Sequence, residues 1–158
     1  MKEYEEWFKR AKDDHAFAQI AIQNQFYTHA CFLFQQTVEK SFKSYLLWKG
    51  GSYPRIHGLV DLLNLCSGHE PALQSLLTDC QILDQYYTAT RYPGSGAPDP
   101  SDADAQDAAN RASNILQQIA SQSASLTIRP QSIGRKPVTP IARGFSVTPQ
   151  RQSWQNCA

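Results

Sequence analysis

The sequence predicts an all-α fold, a bundle of four main helices with one extra short helix. Three observations carry this reading. Apolar residues recur at helical spacing from the N-terminus to about residue 125, no segment sustains strand alternation, and the interruptions fall at Gly- and Pro-bearing stretches. With 158 residues, 41% of them hydrophobic and 11% aromatic, the chain can build one core. That excludes a two-lobed enzyme as well as collagen-like, coiled-coil and wholly disordered chains.

The first helix, roughly 20 residues long, buries a stripe of Tyr4, Trp7, Phe8, Ala11, Ala18 and Ile22. A second runs from about Tyr27 to Lys49 on Cys31, Phe34, Val38, Phe42 and Tyr45, and Gly50-Gly51 stops it, as a C-terminal glycine does. Pro54 keeps its predecessor out of the helical region and makes Ser52-Tyr53-Pro54 a connector. A short third helix begins at about Ile56, faces Leu59, Leu62, Leu63 and Cys66 inward, and ends at Gly68. The fourth starts near Pro71, a favoured first-turn residue, and carries Leu73, Leu76, Leu77, Cys80, Leu83 and Tyr87 on one face. It runs out before Arg91-Tyr92-Pro93-Gly94. After the loop Gly94 to Pro100, Ser101 caps a fifth helix. Asp102 and Asp104 in its first turn have the sign the helix dipole favours, and Ala108, Ala112, Ile115 and Ile119 line its inner face.

These elements form one helical domain over residues 1–126. Residues 127–158 hold four prolines, five basic residues, no acid and no period, and are expected to be a disordered tail. The net charge of +1 hides this asymmetry, because residues 1–126 carry 10 basic against 14 acidic side chains. A general attraction to phosphate must therefore come from the tail or from a local patch. No apolar stretch approaches the roughly 20 residues needed to span a bilayer, and the N-terminus is acidic where a signal peptide is apolar, so a cytoplasmic location without membrane contact is expected. Cys31, Cys66, Cys80 and Cys157 are widely separated and lack a C-x-x-C pair; the first three are expected as core thiols rather than metal ligands.

The P-loop, dinucleotide, zinc-protease and serine-hydrolase signatures are missing, and neither cofactor nor metal is expected. Chemistry would have to use scattered polar side chains, which form three clusters. On the second helix, Gln36, Glu39 and Lys40 share a face, with Lys43 one turn on. The plain alternative there is a solvated Glu39–Lys43 pair. Arg55 and His57 flank Ile56, with Asp61 four residues beyond His57. An imidazole oriented by a carboxylate can exchange protons with a ribose hydroxyl, whereas a first-turn histidine would only bond locally. Finally, Arg91-Tyr92-Pro93 puts a guanidinium suited to phosphate beside an aromatic ring, or else an arginine that satisfies helix-end carbonyls. Arg10 and His15 are no pair, since five residues leave them roughly 140° apart around a helix. His29 and His69 show no obvious partner.

The run Tyr27-Thr28-His29-Ala30-Cys31-Phe32, the stretch Gln35-Gln36-Thr37-Val38-Glu39-Lys40-Ser41-Phe42-Lys43, then Pro54-Arg55-Ile56-His57-Gly58-Leu59, Tyr86-Tyr87 and Arg91-Tyr92-Pro93 together resemble a prokaryotic HEPN domain over about residues 1–125. The resemblance rests on the order of a Q-x-x-E-K, a P-x-x-H-x-L and an R-Y-P motif. It implies an up-and-down helical bundle that commonly dimerises around a shared polar cleft, and members often stand beside a minimal nucleotidyltransferase in toxin–antitoxin-like pairs. It also implies, for many of the wider superfamily, a metal-independent RNase with an R-x4-6-H motif. This chain departs from that motif, because Arg91 is followed by Tyr92, Pro93, Gly94, Ser95, Gly96 and Ala97 with no histidine at that spacing. The R-Y-P form instead implies nucleotide or nucleic-acid binding, or complex formation with the nucleotidyltransferase.

Three functions follow as expectations. In the first, a dimeric module binds nucleotide or RNA through Gln36, Glu39, Lys40, His57, Arg91 and Tyr92, with Lys40 and Arg91 on phosphate. In the second, the chain is an enzyme, a metal-independent endoribonuclease with His57 as general base and Arg91 or Lys40 stabilising charge on phosphate. In the third, a helical assembly protein uses its polar motifs only for packing.

Overall fold

The computed structural model describes residues 1–89 and 98–122. Five α-helices follow one another: α1 (Glu3–Gln23), α2 (Tyr27–Trp48), α3 (Leu59–Ser67), α4 (Leu77–Ala89) and α5 (Asp102–Ser121), with a 3-10 helix at Pro71–Leu76 before α4. No strand occurs among the described residues. Arg91-Tyr92-Pro93, the remainder of the Gly94–Pro100 loop up to residue 97, Cys157 and the whole of 127–158 lie outside them.

The α1–α2 pair is the most extensive in the fold, and its antiparallel course shows in two cross-links. Ser44 Oγ donates to the Tyr4 carbonyl at 2.7 Å near one end, and Lys40 pairs with Asp14 further along. Both helices end by the same device. After α1, Gln25 N–H bonds to the Ile22 carbonyl (2.9 Å) and Phe26 N–H to that of Ala21 (2.8 Å). After α2, Gly50 N–H bonds to Leu47 and Gly51 N–H to Leu46. Each is a Schellman cap, which needs a left-handed residue at its first position. Gly50 supplies it at φ 83°, whereas at the first turn it falls to Gln25 at φ 63°, a side-chain-bearing residue in a region that favours glycine.

α2 is the central helix, packed against α1, α3, α4 and α5. The sequence stripe Cys31, Phe34, Val38, Phe42 and Tyr45 is fully buried, but so are Gln35, Thr37, Ser41 and Ser44. Contact on nearly all sides leaves no solvent face in its middle, and the buried hydroxyls turn to carbonyls: Thr37 Oγ donates to Leu33 (2.9 Å) and Ser41 Oγ to Thr37 (2.7 Å). The predicted stripes of the other helices also reach the core, with Phe8, Ala11, Leu62, Leu83, Ile115 and Ile119 buried. Cys31, Cys66 and Cys80 are buried thiols as expected, and burial pushes each up to about 12, so they remain protonated at neutral pH.

Ser101 caps α5 as predicted: its Oγ accepts from the Asp104 N–H (3.3 Å) while the Asp104 carboxylate accepts from the Ser101 N–H (2.8 Å). The Ser101 hydroxyl also donates to Asp104 Oδ2 (2.6 Å), and this bond first, then the one from the Ser101 N–H, holds the Asp104 carboxyl below the ordinary range. Arg111 fastens α5 to α4, reaching Asp107 on its own helix (2.6 Å) and Asp79 across the interface (2.7 Å).

Two boundaries differ from the sequence reading. The third helix starts at Leu59, not Ile56: Gly58 is extended at its N-cap (φ −68°, ψ 122°), and the first N–H finds its acceptor on another helix, Leu59 bonding to both oxygens of Asp84 on α4 (3.0 and 3.1 Å). Pro71 does open a helical segment, with Glu70 accepting from Ala72 N–H, but the first six residues wind as a 3-10 helix and α4 begins only at Leu77.

Candidate functional site

Residues 52–58 carry the chain from the end of α2 back to its middle. Tyr53 and Ile56 are partly buried against the core, and Arg55 and His57 face solvent. His57 therefore comes to rest over the polar stretch of α2. There Gln35, Glu39 and Lys43 recur every four residues, one turn apart, beside the apolar stripe.

The result is a closed ring of hydrogen bonds. Gln35 Nε2 donates to the His57 carbonyl (3.2 Å), and Gln36 Nε2 donates both to Gln35 Oε1 (2.8 Å) and to Glu39 Oε2 (3.1 Å). His57 Nδ1 completes the ring on Glu39 Oε1 at 3.0 Å. His57 is thus held by backbone and ring together. Lys43 Nζ also donates to Glu39 Oε1, at 2.8 Å.

Burial changes the weight of this arrangement. Glu39 and Lys43 each expose only 5% of the side chain, so their pair is a buried salt bridge and not the solvated helix pair that the spacing alone suggests. Lys43 is walled in by aromatics from two other segments: its Nζ lies 5.7 Å from the Trp7 ring centre and 5.5 Å from that of Tyr53, and the two rings meet edge-to-face at 4.8 Å. Removing either charge would strand the other, at a cost of about 3–5 kcal/mol. His57, by contrast, is 53% exposed and lies almost parallel to the Tyr87 ring, 13° between planes and 5.4 Å between centres.

The wiring fixes the imidazole. A carboxylate only accepts, so Nδ1 carries the hydrogen and the neutral ring presents an Nε2 lone pair on its outer side. A fixed acceptor beside a flat aromatic surface can accept a hydrogen bond from a base or sugar hydroxyl, or take a proton.

The predicted site residues divide accordingly. Gln36, Glu39 and His57 come together. Lys40 does not join them, because its ammonium turns to Asp14 on α1, where both side chains are about one-fifth exposed, and it is engaged there rather than presented beside Glu39. Asp61 is not the orienting carboxylate either: His57 precedes α3, so the four-residue face does not exist, and Glu39 takes that role. Arg91 and Tyr92 lie outside the described residues. Sequence reasoning assigned no site role to Gln35 or Asp84 and put Tyr87 on the inner face of the fourth helix, whereas Tyr87 stays outside the core and stacks half-buried on His57. The four-residue recurrence Gln35–Glu39–Lys43 was a usable signal for the first, while Asp84 and Tyr87 arrive from α4 and left none.

A second histidine contact looks like a hydrolytic dyad and is wired otherwise. His15 Nε2 lies 2.8 Å from Ser113 Oγ, but that hydroxyl donates to the Ala109 carbonyl (2.7 Å). His15 must then be the donor through Nε2–H, and no base acts on the serine. Packed edge-on against Phe34 (5.5 Å), the ring is pushed below its ordinary pKa by burial.

The HEPN domain family model matches residues 4–122. Among solved structures, a Thermus thermophilus protein is 26% identical with a TM-score of 0.71, covering 78% of this chain and 100% of its own. An archaeal HEPN homologue is 35% identical with a TM-score of 0.63, covering 77% and 98%. A HEPN domain protein from Thermotoga maritima is 26% identical with a TM-score of 0.62, covering 74% and 96%. A comparison with curated protein sequences gives no significant match.

Proposed function

The chain belongs to the HEPN domain family, and from that premise we propose that it is a nucleotide- or RNA-binding module, working as a homodimer beside a minimal nucleotidyltransferase in a toxin–antitoxin-like pair. The observation that carries the binding role is His57, locked by the buried Glu39 and laid against Tyr87 while half exposed. The ring offers an oriented acceptor and a stacking edge. Arg55 is exposed two residues upstream, and Arg91 and Tyr92 are the phosphate and base contacts assigned from their motif. Lys40 is left out of the ligand set because Asp14 holds it.

The same geometry favours one second reading, RNA cleavage. A carboxylate that holds Nδ1–H directs Nε2 outward as a general base. In that role Nε2 takes the ribose 2′-hydroxyl proton, the 2′-oxygen attacks the adjacent phosphorus to form the 2′,3′-cyclic phosphate, and the bond to the 5′-oxygen breaks as that oxygen takes a proton from water. Arg91 would stabilise charge on the phosphate.

Incubating the purified full chain with total cellular RNA in EDTA separates the two. Binding without cleavage, weakened in His57→Ala and Arg91→Ala, is the expected outcome. Cleavage lost in both variants would replace the binding role with a metal-independent endoribonuclease. Neither binding nor cleavage would refute both.

A further inference from the structure

At the turn between α1 and α2 three large apolar side chains face solvent: Phe17 is 61% exposed, Ile20 51% and Phe26 60%. With Ala21, Asn24 and His29 they line a concavity of about 350 Å³. The Schellman bonds at Gln25 and Phe26 pin the backbone, and Phe26 meets His29 edge-on at 6.3 Å, so this corner has a fixed shape.

Charge points to what covers it. Nine of the first 14 residues are charged, and then no Asp, Glu, Lys or Arg occurs from residue 15 to residue 38. A twofold interface lays a surface against its own copy, so any net charge on it repels itself, and an uncharged surface is free of that cost. A polyanion or a strongly charged protein would call for opposite charge, and none is present on this stretch. The rim suits self-pairing too. Gln23, Asn24 and Gln25 are exposed at the turn and carry amides, each donor and acceptor at once, which can pair with the same groups of a second copy, although one Asn24 Nδ2 hydrogen is already given to the Ile20 carbonyl (2.8 Å). Phe17 and Phe26 each present on the order of 100 Å² of ring, enough for the apolar centre of an interface of about 800 Å² per partner whose remainder is this polar rim.

We propose that the α1–α2 corner formed by Phe17, Ile20 and Phe26 is the surface on which a second copy of this chain docks about a twofold axis. The proposal rests on the homodimer of the preceding reading and names its face; it is independent of ligand binding at His57.

Sedimentation of the full chain at roughly 10 to 100 µM tests it. The wild type sediments as a dimer, and Phe17→Glu/Phe26→Glu raises the dissociation constant at least about a hundredfold while helical circular dichroism is unchanged. Should that variant lose helix, the milder Ile20→Lys gives the same test, with dissociation expected. A dimer of unchanged affinity in the folded variants would overturn the face and leave the dimer standing. A wild type that is monomeric throughout would overturn both. RNA binding, measured in parallel on the folded variants, reports on the His57 reading alone.

Discussion

Two regions of the α1–α2 hairpin break the apolar-inside pattern in opposite directions. Midway along α2, Glu39 and Lys43 are charged and buried, held by Gln36, His57 and two aromatic rings. At the turn, Phe17, Ile20 and Phe26 are apolar and exposed, beside a rim without charge. The first region is complete within one chain, for every charge has its partner. The second has no cover among the described residues. A buried charge is costly unless paired, and an exposed apolar patch is costly unless covered, so each departure marks where the chain does something other than pack. On the proposed reading, one fixes a ring toward a ligand and the other offers a surface to a second copy.

The comparison breaks most visibly at Glu39. Glu39→Ala should lower stability by about 3–5 kcal/mol in urea denaturation, because Lys43 is left buried and unpaired. Replacing both residues by apolar ones of similar size, Glu39→Leu with Lys43→Met, should recover most of that loss. A loss below about 1 kcal/mol for Glu39→Ala would mean that solvent screens the pair, and the contrast with the turn would collapse.

The partly buried His15 gives the next effect, and its sign follows from its depressed pKa. Below the ordinary value of 6.5 the unfolded chain takes up a proton that the folded chain resists. Stability is therefore fully present above that value and falls as pH drops toward the lower folded pKa. Thermal melts between pH 7 and pH 5 should show this fall in the wild type and a shallower one in His15→Gln.

A smaller effect sharpens the turn itself. Gln25→Gly should raise stability by about 0.5 kcal/mol, the relief of a left-handed side-chain-bearing residue less the entropy of an added glycine. Gly50→Ala, at the matching position after α2, should have the opposite sign and cost about 1 kcal/mol, since nothing crowds the site and only the positive φ opposes a Cβ. Smallest of all, Phe17→Ser in dilute, monomeric protein should shift stability by no more than about 0.5 kcal/mol, as an exposed side chain does.

Most of this architecture was legible because its signals are local. Gly50 announced the end of α2, Ser101 and Asp104 the start of α5, and the period of three and four gave the core face of each helix. The end of α1 was less so, since Gln25 holds a conformation for which glycine is the usual signal. The site was half legible. Gln36 and Glu39 share a helix turn and could be read together, and His57 could be marked as a titratable group beside a carboxylate. Which carboxylate could not be read: the local rule offered Asp61, four residues away, and the fold supplies Glu39, 18 residues back along the chain. The burial of Lys43 was hidden for the same reason, being made by Trp7 and Tyr53 from other segments. Lys40 was misplaced because its partner Asp14 lies across the hairpin.

The two histidines make the most direct test, because their wiring demands opposite neutral tautomers. A long-range proton–nitrogen spectrum of the imidazole rings in the full chain, recorded with and without a short mixed-sequence RNA oligonucleotide, reads both. Expected is His57 protonated at Nδ1, with its Nε2 resonance shifting as RNA is added, and His15 protonated at Nε2 and unmoved. A His57 ring protonated at Nε2, or one that stays still at saturating RNA, would contradict a Glu39-held imidazole that faces the ligand.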